Sequence, residues 1–339
     1  MLDPIRSRLS AVTALKVLFI GGTGVISSAC APRVLAAGHE LAVLNRGNTS
    51  TRPLPPEVEQ LTADVRDSAA TRAALGGREF DVVVDFVAYT TDHVQSDVDS
   101  FADRTGQYVF ISSASAYQKP PRRVPVTEST PLHNPYWQYS RHKIACEELL
   151  VQAYRERGFP VTIVRPSHTY DRTSLPIDGG WTQIDRMRRG QPVVVHGDGT
   201  SLWTLTHHAD VAKALVGLLG NTRTIGEAYT ITGDDVLAWN QVFTILGHAA
   251  GAEPQLVHVP SDIIASVDPE WGAGLLGDKA HSMIFDNSKV KAIVPDYVAT
   301  IPFEQGAREM IAWRDEDPAR RVVNDKLNAT IDALIARVR

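Results

Sequence analysis

The sequence predicts an α/β fold, a doubly wound parallel sheet with a smaller lobe woven onto it from the C-terminal half. In the first half of the 339 residues, short apolar, β-rich segments alternate with segments of helical periodicity, which is typical of a parallel sheet covered by helices on both faces. The predicted strands span residues 16–20, 40–45, 58–62, 80–87, 107–113 and 160–165. The predicted helices span residues 25–37, 67–75, 91–104 and 136–157. Pro32 lies within the first helix, where we expect it to kink the helix or to shift its start.

The second half of the chain is less regular. After Arg165-Pro166 the alternation fades, and residues 167–205 are rich in Gly, Pro and Trp. The segments predicted beyond them are a helix at 209–220, a strand at 226–232 and a helix at 237–251. We therefore expect one domain in residues 1–166 and a smaller lobe in residues 167–339, with segments near 205–232 returning to the first domain.

The composition is that of an ordinary globular protein, with 43% apolar and 22% charged residues. A formal net charge of −5 gives no electrostatic reason to expect nucleic acid or an anionic membrane as a partner. No apolar run approaches the roughly 20 residues that span a bilayer, and residues 1–14 lack the apolar core of a signal peptide, so we expect a cytoplasmic protein.

Cys30 and Cys146 are expected to be reduced and form no metal-binding pattern, so no metal site is predicted. The oligomeric state is open, a homodimer being one option.

The most informative segment is residues 16–27, in which an apolar run stops at a glycine cluster and a helix-compatible segment follows. Glycine permits a tight turn and lets the backbone approach a pyrophosphate, which the amides at a helix start can then bind. The pattern is typical of the first strand, phosphate loop and first helix of a dinucleotide-binding Rossmann fold. Its spacing, Gly21-x-x-Gly24-x-x-Ser27, places a serine where a third glycine is usual. A plain structural turn is the alternative interpretation.

Tyr139 and Lys143 are four residues apart on a predicted helix and therefore share one face. A lysine ammonium beside a phenol favours the phenolate, which would let Tyr139 act as an acid and base nearer neutral pH. Ser112 and Ser113 follow a buried strand, at the sheet edge where ligands of doubly wound sheets bind, so a hydroxyl there could hold a substrate oxygen. A solvated Tyr–Lys pair and strand-end capping by the serines are the alternative interpretations.

With these motifs in this order, the chain resembles the extended short-chain dehydrogenase/reductase superfamily, in its NAD-dependent epimerase/dehydratase group, over about residues 15–315. Further segments similar to those of the family are Asp64-Val65-Arg66-Asp67, Phe86-Val87-Ala88-Tyr89, Arg165-Pro166-Ser167-His168-Thr169-Tyr170, and Gly197-Asp198-Gly199 through His207-His208-Ala209-Asp210-Val211. The resemblance implies a catalytic triad of Ser113, Tyr139 and Lys143, and the 26-residue interval from Ser113 to Tyr139 is typical of extended members. The cofactor-binding residues that it implies are Gly21, Thr23, Gly24, Val25, Ile26, Asp64, Val65, Val87, Ala88, Lys143, Pro166 and His168. It also implies that residues 1–166 bind the dinucleotide and that residues 167–339 mainly bind the substrate.

The choice of cofactor depends on the end of the second predicted strand. NAD-specific members of the family usually have an acidic residue at about the position of Asn45, where it binds ribose hydroxyls. Asn45 is neutral, Arg46 could neutralise a 2′-phosphate, and Asn48 could add a hydrogen bond. We therefore favour NADP, with NAD as the alternative if Arg46 only stacks on adenine.

Departures from the family bear on the substrate. Members that act on nucleotide sugars commonly have Asn where His168 stands and Arg where Trp203 stands, and both help to hold the diphosphate. Replacing a cation with an indole removes a charge-assisted phosphate contact, so we do not expect a nucleotide diphosphate sugar. Trp203 and Trp181 could instead stack on a sugar ring or a flat aglycone, with Ser115 and His168 as further substrate contacts. Packing of the smaller lobe is the alternative role for the tryptophans.

The resemblance implies nicotinamide-dependent redox chemistry at a secondary alcohol or ketone of a sugar-, glycoside- or nucleoside-like small molecule, or epimerisation through a transient ketone. Ala114-Ser115 stand where sugar dehydratases have Asp-Glu, which disfavours dehydration.

The alternative function is a non-catalytic dinucleotide sensor or an RNA-associated atypical relative. The intact Ser/Tyr/Lys set argues against a sensor, and the negative net charge argues against RNA binding. The basic segments 119–123 and 186–189 are interpreted as solvated, and His207 and His208 as structural.

Overall fold

A parallel sheet is the centre of the fold in the computed structural model, which describes residues 14–47 and 51–339. The strands of this part of the chain are β1 (Lys16–Ile20), β2 (Glu40–Asn45), β3 (Glu59–Thr62), β4 (Phe80–Asp85), β5 (Thr105–Ile111), β6 (Val161–Pro166), β7 (His168–Tyr170), β8 (Val193–His196), β9 (Leu202–Trp203), β10 (Leu205–His207), β11 (Ala228–Ile231), β12 (Leu237–Ala238) and β13 (Leu256–Val259). The α-helices are α1 (Val25–Ala36), α2 (Ser68–Leu75), α3 (Thr91–Phe101), α4 (Gln138–Arg157), α5 (Trp181–Arg188), α6 (His208–Leu218), α7 (Trp239–Ala249), α8 (Ser261–Val267), α9 (Pro269–Gly274), α10 (Ser288–Ile293), α11 (Phe303–Asp315) and α12 (Asp325–Val338).

The central sheet has seven strands in the order β11-β6-β5-β4-β1-β2-β3, and each neighbouring pair is parallel. The chain winds outward from β1 to β3, returns to β4 on the other side of β1, and then winds outward in the opposite direction. The reversal lies between β1 and β4, and ligands of open α/β sheets bind at the carboxyl ends of strands that flank such a point. The predicted doubly wound α/β fold is thereby confirmed.

Alternate residues of β1, an inner strand of the sheet, face two separate apolar cores. Val17 and Phe19 of β1 pack in the core that contains Cys30 of α1 and residues of α6. Leu18 and Ile20 pack in the opposite core, with residues of α3 and α4. Because both faces of the sheet are buried, its strands appear in the sequence as continuous apolar runs rather than alternating ones.

Segments of the second half contribute to the sheet as well as to the smaller lobe. β11 pairs with β6, with Ala228 opposite Ile163 and Ile231 opposite Pro166. A third apolar core, formed mainly by residues of the expected smaller lobe, includes the buried rings of Trp203, Trp239 and Phe303 and the side chain of Met283.

Helices α1 and α6 pack against each other on one face of the sheet. α1 continues through Pro32 from Val25 to Ala36. His207 caps α6, since its Nδ1 accepts a hydrogen bond from Ala209 N at 3.2 Å, and His208 Nδ1 lies 2.9 Å from the carbonyl oxygen of Val25. These contacts connect α6 to the start of α1. None of the helices in the described ranges combines the length and the apolar character needed to cross a lipid bilayer.

Candidate active site

The glycine loop between β1 and α1 contains Gly21 and Gly24, whose surroundings differ. Gly21 has a φ of +84°, and a Cβ there would lie 2.3 Å from Val87 Cγ1, so glycine is required. At Gly24, the nearest atom to an added Cβ would be Ser27 Oγ, at 3.4 Å. The buried Ser27 hydroxyl, which stands where a third glycine is usual, accepts a hydrogen bond from Gly24 N at 2.9 Å and caps α1. The surface at Gly24 therefore allows a ligand to approach the amides at the start of α1 closely.

A cavity of about 340 Å³, called here the glycine-loop cavity, lies beside this loop. It is lined by Gly21, Thr23, Leu44, Asn45, Arg46, Ala63, Asp64, Val65, Arg66, Val87 and Tyr89. Asn45 Oδ1 accepts a hydrogen bond from Gly47 N at 2.8 Å, so this side chain is turned towards its own loop. Arg46 and Arg66 place two cations at the cavity. Asn48, predicted as a cofactor contact, lies outside the described residues.

A second cavity of about 310 Å³, called here the tyrosine cavity, lies at the carboxyl ends of the sheet strands. It is lined by Val25, Ile26, Phe86, Tyr89, Ile111, Ser112, Ser113, Ala114, Ser115, Trp137, Tyr139, Lys143, Pro166, Ser167, His168, Thr169, Trp203 and Asp278. Tyr89 lines both cavities, so the two adjoin at its ring. A larger cavity of about 580 Å³ lies at the amino ends of β1, β2 and β4 and contains none of the predicted site residues.

Ser113 and Tyr139 come together in the tyrosine cavity. Ser113 follows β5, and its Oγ accepts a hydrogen bond from Ser115 N at 3.1 Å. Tyr139 lies in the first turn of α4, with its ring centroid 4.8 Å from that of Trp137 and 6.3 Å from that of Tyr89. Burial raises the pKa of the Tyr139 phenol, and a hydrogen bond with Ser113 opposes this shift.

Lys143 lies one turn further along α4. Its Nζ donates hydrogen bonds to the carbonyl oxygens of Ala88 at 2.7 Å and Ile111 at 2.8 Å, and it lies 5.9 Å from the centroid of the Tyr139 ring. Burial lowers the pKa of Lys143 to about 8, with the charge of Asp85 opposing the shift. The expected lowering of the Tyr139 pKa by Lys143 is not found, because the ammonium is turned towards the two carbonyls and burial dominates at the phenol.

Three of the four predicted substrate contacts line the tyrosine cavity. Ser115 Oγ accepts a hydrogen bond from Ser140 Oγ at 2.8 Å and lies 2.9 Å from Ser113 Oγ. Burial lowers the pKa of His168 to about 4, so this side chain is uncharged at neutral pH and cannot offer a cation to a diphosphate. Trp203 is 1% exposed and is the third predicted substrate contact among the residues that line the cavity.

Trp181 lies elsewhere. It is buried in the core of the smaller lobe, with the Arg188 guanidinium carbon 5.1 Å from its ring centroid, and it is not among the residues that line the tyrosine cavity. The structure therefore gives Trp181 the packing role that was the alternative interpretation of its place in the sequence.

Some residues that line the tyrosine cavity were not predicted from the sequence, among them Trp137 and Asp278. Asp278 lines the tyrosine cavity, although nothing in its sequence neighbourhood indicates a ligand contact. The interpretation of segment 119–123 as solvated is wrong for Lys119, whose side chain is fully buried 3.4 Å from Asp278 Oδ1. Segment 186–189 is likewise not all solvated, since Arg186 is buried and pairs with Asp332 at 2.7 Å. In both segments a buried cation stands among exposed ones, so composition alone gave no indication of burial.

Comparisons with known proteins agree on the family and the fold. The model of the NAD dependent epimerase/dehydratase family matches residues 17–232. The chain is 26% identical to 2′-dehydrokanamycin reductase of Streptomyces kanamyceticus, over 96% of this chain and 91% of that protein. It is 27% identical to the chloroplast stem-loop binding protein of 41 kDa b of Arabidopsis thaliana, over 74% of this chain and 67% of that protein. Its fold is similar to that of an epimerase from Methanothermobacter thermautotrophicus, with a TM-score of 0.74 at 16% identity, covering 91% of this chain and 94% of the other.

Proposed function

Because the chain belongs to the NAD-dependent epimerase/dehydratase family, we propose that it is an oxidoreductase that reduces a ketone of a sugar-like small molecule to a secondary alcohol. The observation that carries this proposal is that one cavity, beside the start of α1, brings together Ser113, Tyr139 and Lys143. Epimerisation through a transient ketone would use the same three residues and is the alternative within the family.

The residues of the glycine loop and its cavity fit a dinucleotide. The open surface at Gly24 and the first amides of α1 would hold the pyrophosphate, Asp64 and Val65 would contact the adenine side, and Lys143 would contact the nicotinamide ribose. When bound, the nicotinamide supplies the hydride for reduction.

Tyr139 would hold the proton that the substrate oxygen receives. Burial raises the pKa of its phenol and so keeps it protonated, and a protonated acid is the form that ketone reduction requires. Ser113 would hydrogen-bond the same oxygen, and the positive charge of Lys143 would stabilise the negative charge that develops there. The protonated tyrosine is thus ready to act as the acid of the proposed reduction.

One relative supports the same direction. The Streptomyces kanamyceticus relative, which is similar over nearly the whole chain, is by its name a reductase of 2′-dehydrokanamycin. The uncharged His168 and the indole of Trp203 support a substrate without a diphosphate.

The test of the function is Tyr139→Phe, which keeps the ring and removes the proton donor. With a panel of keto sugars and glycosides, NADPH consumption by the wild type should fall by about 10² to 10⁴ in the variant, the usual contribution of a general acid. NADPH affinity, followed by fluorescence titration, should not change. A folded variant with full activity on a substrate of the wild type would contradict the proposed role of Tyr139.

We propose NADP as the preferred cofactor because the glycine-loop cavity has Arg46 and Arg66 at its wall and a neutral Asn45 at the end of β2. Arg46→Ala should weaken NADP binding by about ten- to a hundredfold, since a hydrogen bond to a charged group contributes about 1.5–3 kcal/mol, and should weaken NAD binding far less. Equal losses for both cofactors, measured by titration, would mean that Arg46 does not contact a 2′-phosphate.

A role in RNA binding is the second candidate, because one relative is by its name a chloroplast stem-loop binding protein. The formal net charge of −5 and the complete Ser113, Tyr139 and Lys143 set favour the enzyme. Tight, salt-dependent binding of a stem-loop RNA, together with no turnover on the carbonyl panel, would reverse this order.

A further inference from the structure

A buried charge pair lies at one wall of the tyrosine cavity, with Asp278 lining the cavity. Lys119 Nζ lies 3.4 Å from Asp278 Oδ1, and the two side chains are 0% and 10% exposed. Within the described part of the chain, neither of these atoms forms a hydrogen bond. Burying two charges is costly unless hydrogen bonds accompany the ion pair. A ligand in the adjoining cavity could supply such a hydrogen bond.

Trp203 joins this pair. Its ring centroid is 5.1 Å from Lys119 Nζ, and its indole Nε1 is also buried without a hydrogen-bond partner among the described residues. Asp278 and Trp203 line the tyrosine cavity together with Ser113 and Tyr139. A carboxylate and an indole, each with a buried polar atom that has no hydrogen-bond partner in the described part of the chain, are therefore grouped beside the cavity that Tyr139 also lines.

The charges on this wall balance. Lys119 offsets Asp278, and Lys279, which also lies near Asp278, pairs with Asp178 at 3.3 Å. A phosphate would be repelled by the Asp278 carboxylate, and a ligand ammonium would have to compete with Lys119 for it. A hydroxyl meets neither penalty, since it can donate to a carboxylate and accept from an indole N–H.

We propose that Asp278 and Trp203, with Lys119 balancing the charge, form a specificity site for the hydroxyl groups of a neutral, unphosphorylated sugar ring. The proposal rests on the proposed function, because it names the substrate class of the same cavity. Asp278 and Trp203 contact the ligand, whereas Lys119 acts through Asp278 as a positioning residue.

The experiment measures binding rather than turnover. Calorimetry with the wild type saturated with NADP⁺ would compare the methyl α-pyranosides of glucose, galactose and mannose with their 6-phosphate and 2-amino counterparts. At least one neutral glycoside should bind about tenfold or more tightly than both of its charged counterparts. Binding of no neutral glycoside, or equal or tighter binding of the charged counterparts, would overturn the proposal.

Variants test the residues. Asp278→Asn alone leaves Lys119 buried without a counter-charge, so the neutral double variant Lys119→Met/Asp278→Asn guards against misfolding. The double variant should bind the preferred glycoside about ten- to a hundredfold more weakly and NADP⁺ normally, and Trp203→Phe, which removes only the N–H and part of the ring, should also weaken the glycoside. Arg122→Met, an exposed cation of the same segment, is the matched control and should change neither affinity. Unchanged glycoside affinity in the double variant would refute the assignment.

These outcomes separate the two proposals. A protein that binds the glycoside through Asp278 yet reduces no carbonyl compound would contradict the proposed function alone. A protein that reduces ketones lacking hydroxyl groups, with the same efficiency in wild type and double variant, would contradict the specificity site alone.

Discussion

Lys143 shows how one residue of the site can be held in place and still respond to pH. Its ammonium donates to two backbone carbonyls from different strand ends, Ala88 after β4 and Ile111 of β5. It is also 4.7 Å from the ring centroid of Tyr89 and 4.8 Å from that of Phe110. These contacts fix the cation where β4, β5 and α4 meet, while burial makes it easier to deprotonate.

A pH prediction follows from this residue. Burial lowers the pKa of Lys143 to about 8, so its charge is present below that pH and is lost as the pH rises through it. NADPH affinity should therefore decline above a pH of about 8. Burial raises the Tyr139 pKa and lowers that of His168 to about 4, so neither residue accounts for a change near 8. Fluorescence titrations across pH would check this, and the same decline in Lys143→Met would assign it to another group.

Under the proposed function, the glycine loop is the element on which cofactor binding would depend most directly. An added Cβ at Gly24 would meet only Ser27 Oγ, at 3.4 Å, whereas one at Gly21 would collide with Val87. A side chain at Gly24 should therefore weaken cofactor binding and leave the fold intact. A side chain at Gly21 should disturb the fold itself.

Gly24→Ala should fold normally and bind NADPH at least about tenfold more weakly, because the methyl group occupies the surface where the pyrophosphate would lie. Gly77→Ala, at an exposed glycine with open space around its Cβ position, is the matched control. Thermal unfolding would establish that both variants are folded before titration. Unchanged NADPH affinity in Gly24→Ala would place the pyrophosphate elsewhere.

A buried ion pair connects α4 to the central sheet. Arg165 of β6 lies 2.5 Å from Glu147 of α4, with side chains 7% and 2% exposed, and Ser112 also donates to Glu147. Since α4 carries Tyr139 and Lys143, this pair fixes the helix relative to the strand ends that complete the site.

Arg165→Met should lower the free energy of unfolding by about 3–5 kcal/mol, because it leaves the Glu147 carboxylate buried and unpaired. Arg78→Met breaks the exposed Arg78–Glu59 pair, whose side chains are 45% and 55% exposed, and should cost less than about 1 kcal/mol. Urea denaturation would measure both values. Equal costs would mean that water reaches the Arg165–Glu147 pair.

At the scale of the whole molecule, local patterns predicted the sheet and the glycine loop well, but they did not predict the Lys119–Asp278 pair at the tyrosine cavity. The glycine loop and the Tyr139–Lys143 pair are each formed within one short segment, so spacing alone identifies them. Lys119 and Asp278 are far apart in the sequence and meet only in the folded protein, so no local pattern distinguished the buried Lys119 from its exposed neighbours. Trp181 and Trp203 look alike as tryptophans of one loop-rich segment and are buried in the same apolar core, but only Trp203 also lines the tyrosine cavity.

The position of β11 at the edge of the sheet has a consequence for the order in which the strands can pair during synthesis. β6 is synthesised well before β11, which pairs with it, so a nascent chain that ends between them has its first six strands but an unpaired outer edge on β6. Exposed strand edges accept other strands, including those of neighbouring chains. Until Ile231 has emerged, the outer edge of β6 is therefore open to pairing with a strand of another chain.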